Sequence, residues 1–345
     1  MSDLVLCCPH CRGSLNRERE ALRCAACQKS FPIVAGIPDL RVCADPYIDF
    51  AHDRAKALRL AEDGRTRGFA ALLERYYEIT PKVPADLARH YCSHNLAGVE
   101  RGEAVLQRLQ AYGAELTDRS GPTHLDLGCG TAGFVAAAAM HGVSVFGVDI
   151  ALRWLVVARR RLDELGFGGS RLVCACADHL PFPDSSCAVI TAEFLLEHAA
   201  SPIGVLREVR RVGGPETFFM ARTVNRFALA PEPHVGVWGV GFLPRRLMDP
   251  YVRARKGIPY EHVRTESFLG LRRLLRETGS RDLEVRRPLL TAGDVAQQPL
   301  SRRRLLACWA ALDRWMPPAR PLLALFGPFL DVVTRAGVRP APDRR

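Results

Sequence analysis

The sequence predicts an α/β fold: a mainly parallel sheet with helices on both faces, preceded by a small module held together by metal. Three observations carry this reading. First, Leu125-Asp126-Leu127-Gly128-Cys129-Gly130-Thr131-Ala132-Gly133 is followed by Val145-Phe146-Gly147-Val148-Asp149. An apolar strand enters a glycine turn, a helix follows, and a second strand ends in an acid, the local plan of a nucleoside-binding crevice. Second, short apolar strands alternate with helical patterns between residues 124 and 223. Such crossovers imply parallel neighbours covered on both faces. Third, Cys8-Pro9-His10-Cys11 and Cys24-Ala25-Ala26-Cys27 form two CxxC pairs separated by twelve residues.

Each CxxC knuckle aims two thiolates at one ion, and two knuckles complete a tetrahedron, so Cys8, Cys11, Cys24 and Cys27 are read as a structural zinc site. Cys7 is the alternative to Cys8, and spacing favours Cys8. Redox CxxC motifs come singly beside a βαβ pattern, which this segment lacks. So short a segment cannot bury enough apolar surface to fold alone. Residues 1–45 are assigned to this module.

Residues 46–115 alternate helical stretches with breakers at Gly64, Pro81 and Pro84, and apolar residues such as Phe69, Leu72, Leu73 and Tyr76 recur at helical spacing. They are read as a helical lead-in that partly covers the crevice. The α/β domain fills 116–345. Its strands are expected at 124–127, 143–148, 171–175, 188–192 and 217–223. The intervening helices are expected at 132–141, 152–165 (stopped by Gly166) and 203–211. Residues 224–264, rich in Gly, Pro and aromatics, are read as a substrate loop. An amphipathic helix at 265–277, a sixth strand at 283–285 and an antiparallel seventh strand at 329–334 follow. A helical insertion is expected at 291–327.

Glycine at 128 and 130 allows a sharp turn and close approach of a ligand. Gly133 is expected to let the next helix start close to the sheet. Asp149 is placed to take both hydroxyls of a ribose. The acid Asp126 before the turn would repel a pyrophosphate but suits a cationic amino-acid ligand.

With Cys176-Ala177-Asp178-His179-Leu180-Pro181-Phe182-Pro183-Asp184 and Glu197-His198, residues 90–225 resemble the class I S-adenosylmethionine-dependent methyltransferases, in particular the small-molecule group that includes the ubiquinone and menaquinone enzymes. The resemblance implies a seven-stranded Rossmann-like sheet. It assigns the methionine part of S-adenosylmethionine to the turn from Asp126 to Gly130, followed by Gly133. It gives the ribose to Asp149 and the adenine amino group to Asp178, with Ile150 and His179 flanking the ring. The N-terminal module, through Phe31-Pro32-Ile33-Val34-Ala35-Gly36-Ile37-Pro38-Asp39-Leu40, resembles the zinc-ribbon activators that partner RNA and translation-factor methyltransferases. Two features depart from the pattern. The fourth strand starts at Cys187-Ala188-Val189-Ile190 without an acid, and the turn before the fifth reads Gly213-Gly214-Pro215 instead of proline followed by two glycines.

The chemistry needs alignment of nucleophile, methyl and leaving sulfur, and no universal catalytic residue. Where the acceptor must lose a proton, His198 and His234 are the candidate bases, with Glu232 and Tyr260 behind them. No Asn/Asp-Pro-Pro-aromatic motif follows the fourth strand, which favours an oxygen or carbon acceptor over nitrogen.

The chain has 345 residues, 48% hydrophobic and 25% charged, as expected of a globular protein of one large domain plus attachments. Its N-terminus does not resemble a signal peptide, and its longest apolar run is too short to span a bilayer, so a cytoplasmic protein with reduced thiols is expected. The formal charge of +11 lies in the last third: residues 241–345 hold 21 Arg and Lys against 10 Asp and Glu. Such a surface suits RNA, an anionic membrane or simple solvation. The leading reading is methyl transfer to a small or lipid-like metabolite, with peripheral membrane contact open. The alternatives are an RNA methyltransferase and a non-catalytic cofactor-binding adaptor.

Overall fold

The computed structural model describes residues 6–114, 123–296 and 300–335. The chain begins with four short antiparallel strands, β1 (Leu15–Glu18), β2 (Ala21–Cys24), β3 (Ser30–Val34) and β4 (Ile37–Pro38), in sheet order β1-β2-β3-β4. Four helices follow: α1 (Phe50–Asp63), α2 (Phe69–Glu78), α3 (Ala85–Leu96) and α4 (Gly98–Ala111). Asp49 starts α1 by accepting the backbone N–H groups of Ala51 and His52, a side-chain N-cap.

Then come β5 (Thr123–Leu127), α5 (Gly133–Met140), β6 (Val145–Asp149), α6 (Leu152–Glu164), β7 (Leu172–Cys174), β8 (Cys187–Glu193), α7 (Pro202–Gly213) and β9 (Phe218–Val224). The chain continues through α8 (Arg245–Lys256), α9 (Phe268–Glu277), β10 (Leu283–Arg286), α10 (Ala292–Ala296), α11 (Leu300–Trp315), α12 (Arg320–Phe326) and β11 (Phe329–Thr334).

Seven strands form one sheet in the order β10-β11-β9-β8-β5-β6-β7. β5–β6 and β6–β7 pair in parallel, while β11 runs antiparallel to both β9 and β10. The order reverses at β5, and in open α/β sheets ligands bind at the carboxyl ends of strands where that happens.

By contact density the chain divides into two compact units: Met1–Ile190 with Glu208–Thr217, and Thr191–Arg207 with Phe218–Arg345. Within the first, the ribbon is joined to the sheet edge. Leu40 N–H donates to the Cys174 carbonyl at 2.7 Å, Asp39 bridges Cys174 in parallel, and Cys7 N–H donates to the Pro181 carbonyl at 2.9 Å. The exposed edge of β7 is thereby covered.

Within the second, Arg222 on β9 and Asp331 on β11 sit opposite each other and form a two-pronged ion pair at 2.7 and 2.9 Å, both buried.

Two expectations are corrected. Gly133 is required by a neighbouring helix and not by the sheet: a Cβ there would lie 2.3 Å from the Gly98 carbonyl oxygen on α4. Gly102 and Ala137 make the same close α4–α5 seam. The segment read as a loop at 224–264 contains α8, although Pro250 lies inside it. Met248 and Val252, one turn apart, bury against Val235, Val237, Val240 and Tyr260, so tertiary packing outweighs the lost hydrogen bond.

Candidate functional site

In the first unit the glycine turn is built around the end of β6. Gly128 (φ +75°) and Gly130 (φ +50°) take left-handed conformations. The N–H groups of Gly128 and Cys129 both donate to the Val148 carbonyl, at 2.8 and 3.1 Å. A Cβ on Gly130 would meet nothing within 4 Å, so the turn faces open space.

Asp149 closes the arrangement. One carboxylate oxygen accepts Gly130 N–H and the other accepts Ala151 N–H, both at 2.8 Å. The acid at the end of β6 thus fastens the glycine turn to the start of α6. Burial pushes its carboxyl above the usual range, against the pull of those two backbone donors. Asp126, one residue from the strand end, is buried opposite Gly147.

Ile150 is held from beneath by a group that sequence reasoning missed. Arg41, just after the ribbon, donates to the Ile150 carbonyl at 3.0 Å. The same nitrogen, Nη1, donates to Asp53 at 2.6 Å, and the other two grip Asp39 at two points, each 2.7 Å. Asp53 also accepts Arg153 Nη1 at 2.8 Å and the backbone N–H groups of Leu152 and Arg153 at 3.1 and 3.4 Å. Arg153 in turn reaches Asp45 at 2.8 Å. A carboxylate on α1 therefore caps α6, whose own cap residue, Ala151, has no side chain for the task. The one sequence signal was Arg153 within an apolar helical stretch; its acidic partners Asp45 and Asp53, 108 and 100 residues away, left none.

Asp178 and His179 follow β7, next to β6 in the sheet, and their side chains touch at 3.1 Å. In the ribbon, the sulfurs of Cys8, Cys11, Cys24 and Cys27 all lie within 4.8 Å of one another. Sulfurs of the two knuckles meet across the cluster, Cys8–Cys27 at 3.6 Å and Cys11–Cys24 at 3.4 Å, and Cys27 N–H donates to the Cys24 sulfur at 3.4 Å. That backbone donor is the main reason the Cys24 thiol falls to about 6. Cys7 is outside the group and bridges Ser14. Four thiolates in two knuckles fit zinc.

The second unit brings His198 and His234 together, 36 residues apart in the chain. Their Nε2 atoms are 2.9 Å apart, and His234 Nδ1 meets Glu232 at 2.5 Å. The other Glu232 oxygen accepts the N–H groups of His234 and Val235, at 3.0 and 3.1 Å. Burial drives His198 down to about 3, with His234 adding to the fall. Burial also opposes the charged form of His234, but the hydrogen bond and charge of Glu232, with the charge of Glu197, leave it raised. Glu197 is buried, accepts the Thr223 hydroxyl at 2.7 Å, and is itself pushed up by desolvation. Tyr260, the weakest candidate base, belongs to the apolar cluster around Val235 and Val252.

Residues 125–221 match the family model described as a methyltransferase domain. This stretch is a class I, S-adenosylmethionine-dependent methyltransferase domain. Residues 5–36 match the model of Trm112p-like proteins, in keeping with the ribbon geometry.

Among curated relatives, the demethylmenaquinone methyltransferase of Geobacillus kaustophilus is 34% identical over 100 residues, 28% of this chain and 43% of that protein. The malonyl-[acyl-carrier protein] O-methyltransferase of Marinomonas sp. is 29% identical over 132 residues, 38% of this chain and 47% of that protein. The ubiquinone biosynthesis O-methyltransferase of Thiobacillus denitrificans is 32% identical over 111 residues, 32% of this chain and 47% of that protein. The chain thus spans less than half the length of each. A solved structure, the Haemonchus contortus phosphoethanolamine N-methyltransferase 2 with S-adenosyl-L-methionine, is similar at a TM-score of 0.45 and 18% identity, over 70% of this chain and 52% of that one. That likeness is too distant to bear on the acceptor.

Proposed function

We propose that this chain methylates an oxygen or carbon atom of a small or lipid-like metabolite. The observation that carries the proposal is the Asp149 clamp: a half-buried carboxylate tied to an open glycine turn at the point where the strand order reverses. Asp126 and the turn through Gly128 and Gly130 take the methionine part, Asp149 the ribose, and Ile150, Asp178 and His179 the adenine. Gly133 shapes the site indirectly, by letting α5 lie against α4. Bound there, S-adenosylmethionine supplies a methyl group already activated by its sulfonium.

Glu232, His234 and His198 deal with the acceptor's proton. Burial makes His198 alone too weak a base to hold a proton at neutral pH. His198 Nε2–H donating to His234 Nε2 leaves His198 Nδ1 as an acceptor. A proton taken there is matched by one passed to His234, where Glu232 stabilises the charge. Exposed Leu229, Trp238, Phe242 and Leu247 in the second unit supply apolar surface for a lipid-like acceptor, as do Trp315, Met316 and Leu322 beside Arg314 and Arg320. Among the described residues no helix is long and apolar enough to cross a membrane. The ribbon's four thiolates leave no open position, so zinc there is structural.

Calorimetric titration with S-adenosylhomocysteine tests the cofactor assignment. Asp149→Ala is expected to weaken binding at least tenfold, because hydrogen bonds to a charged group are worth roughly 1.5–3 kcal/mol each. Unchanged affinity would remove Asp149 from the site.

The relay is tested by turnover with quinone-like and lipid acceptors. His234→Ala is expected to lower kcat roughly a hundredfold, the lower end for general-base catalysis. The rate should fall as pH drops through the raised pKa of His234, which must be free of its extra proton to accept another. Glu232→Gln removes the group that raises it and should move that limb to lower pH. A limb that stays put in Glu232→Gln would mean that another group controls it.

A further inference from the structure

A second group of metal-binding side chains lies outside the ribbon. Cys43 is on the segment leaving the ribbon, and Cys176 and Asp178 are on the loop after β7. One ligand atom from each lies within 4.8 Å of the other two. Cys43 N–H donates to the Cys176 sulfur at 3.3 Å, and that thiol in turn reaches the Cys43 carbonyl at 3.5 Å. This backbone bond to sulfur repeats what Cys27 does for Cys24 in the ribbon.

We infer that Cys43, Cys176 and Asp178 form a second metal site, selective for a thiophilic divalent cation such as zinc. Two thiolates and a carboxylate are a zinc donor set, and bonds of about 2.3 Å to sulfur and about 2.0–2.2 Å to oxygen place tetrahedral ligands under 4 Å apart. Cys176 is buried while Cys43 is exposed, which gives the ion a route in. Three protein ligands leave a fourth position for water or another small ligand, which the ribbon's four thiolates do not.

Asp178 is also the residue assigned to the adenine, so the site has a regulatory consequence that rests on that assignment. A cation held by Asp178 withdraws the carboxylate from the cofactor, and metal and cofactor then oppose each other.

The test is the zinc content of the full chain, loaded with excess zinc under reducing conditions and desalted. Two zinc per chain are expected for the unaltered protein and one for Cys43→Ser, a substitution at an exposed position outside the packed interior. Equal zinc content in the two proteins overturns the site. So does a Cys43–Cys176 disulfide-linked peptide recovered from protein that binds a single zinc. A second measurement addresses the regulatory consequence separately: saturating zinc should weaken S-adenosylhomocysteine binding several-fold in the unaltered protein and leave Cys43→Ser unaffected. Two zinc per chain with unchanged cofactor affinity would keep the metal site and remove Asp178 from the adenine.

Discussion

Stripping the ribbon of its metal with a chelator is expected to unfold residues 6–40 and to release them from the edge of β7. Zinc in sites of this kind contributes an apparent free energy of about 10–16 kcal/mol at neutral pH. The described part of the ribbon has few other resources. Its buried apolar residues include Phe31, Val34, Ile37 and Leu40, and two of its strands are only four residues long. Burial of so few side chains, at roughly 1.5–3 kcal/mol each, does not offset the ordering of some thirty residues at about 1–2 kcal/mol each. Chelation should therefore expose the 6–40 segment to protease and lower the melting temperature. Because Leu40 and Asp39 pair with Cys174, the loss should spread to β7, and exchange at the Leu40 and Gly147 amides would report it. Full protease resistance after verified removal of all metal would show that the cysteine cluster is not the ribbon's support.

Asp53→Ala is expected to cost about 3–5 kcal/mol, the range for breaking a buried ion network on one side. Asp53 is fully buried and faces two guanidiniums and two backbone donors at the start of α6. Its removal leaves Arg41 and Arg153 with only Asp39 and Asp45 as carboxylate partners, and leaves the first turn of α6 without its acceptor. Thermal unfolding followed through Trp154, which stacks on Tyr76 at 3.9 Å, should show the loss. The physical cause can be isolated. Replacing Asp53, Arg41 and Arg153 together by apolar residues of similar volume should recover much of the stability, because no charge is then buried alone. A change below about 0.5 kcal/mol in Asp53→Ala would mean that water reaches the network and screens it. The same variant should loosen Ile150, since Arg41 holds its carbonyl, so cofactor affinity is a second readout.

Much of the first unit could be read directly from local pattern. The strand–turn–helix at 125–140 and the strand ending at Asp149 are short-range features, specified by alternating apolar residues and by glycines that take φ +75° and +50° without strain. The paired CxxC knuckles are equally local, and the structure gathers the four sulfurs chosen by spacing, with Cys7 left outside. The helix at 245–256 was hidden because Pro250 argues against it locally, while the burial of Met248 and Val252 that favours it comes from residues outside the helix on either side. The role of Gly133 was misplaced for a similar reason: its constraint is Gly98, on a helix that no pattern ties to it.

The α/β class, the order of strands and crossover helices, the paired cysteine knuckles and the glycine turn with its acid were all legible in the sequence, because each rests on backbone preference or ligand spacing within a few residues. What depends on side chains meeting from distant positions came from folding alone. Folding joined His234 and Glu232 to His198, placed Asp53 at the start of a helix a hundred residues away, and set Cys43 against Cys176. A charge or an imidazole in a sequence carries no record of its partner; which one it meets is settled when packing removes both from water and leaves each the other's remaining hydrogen-bonding group.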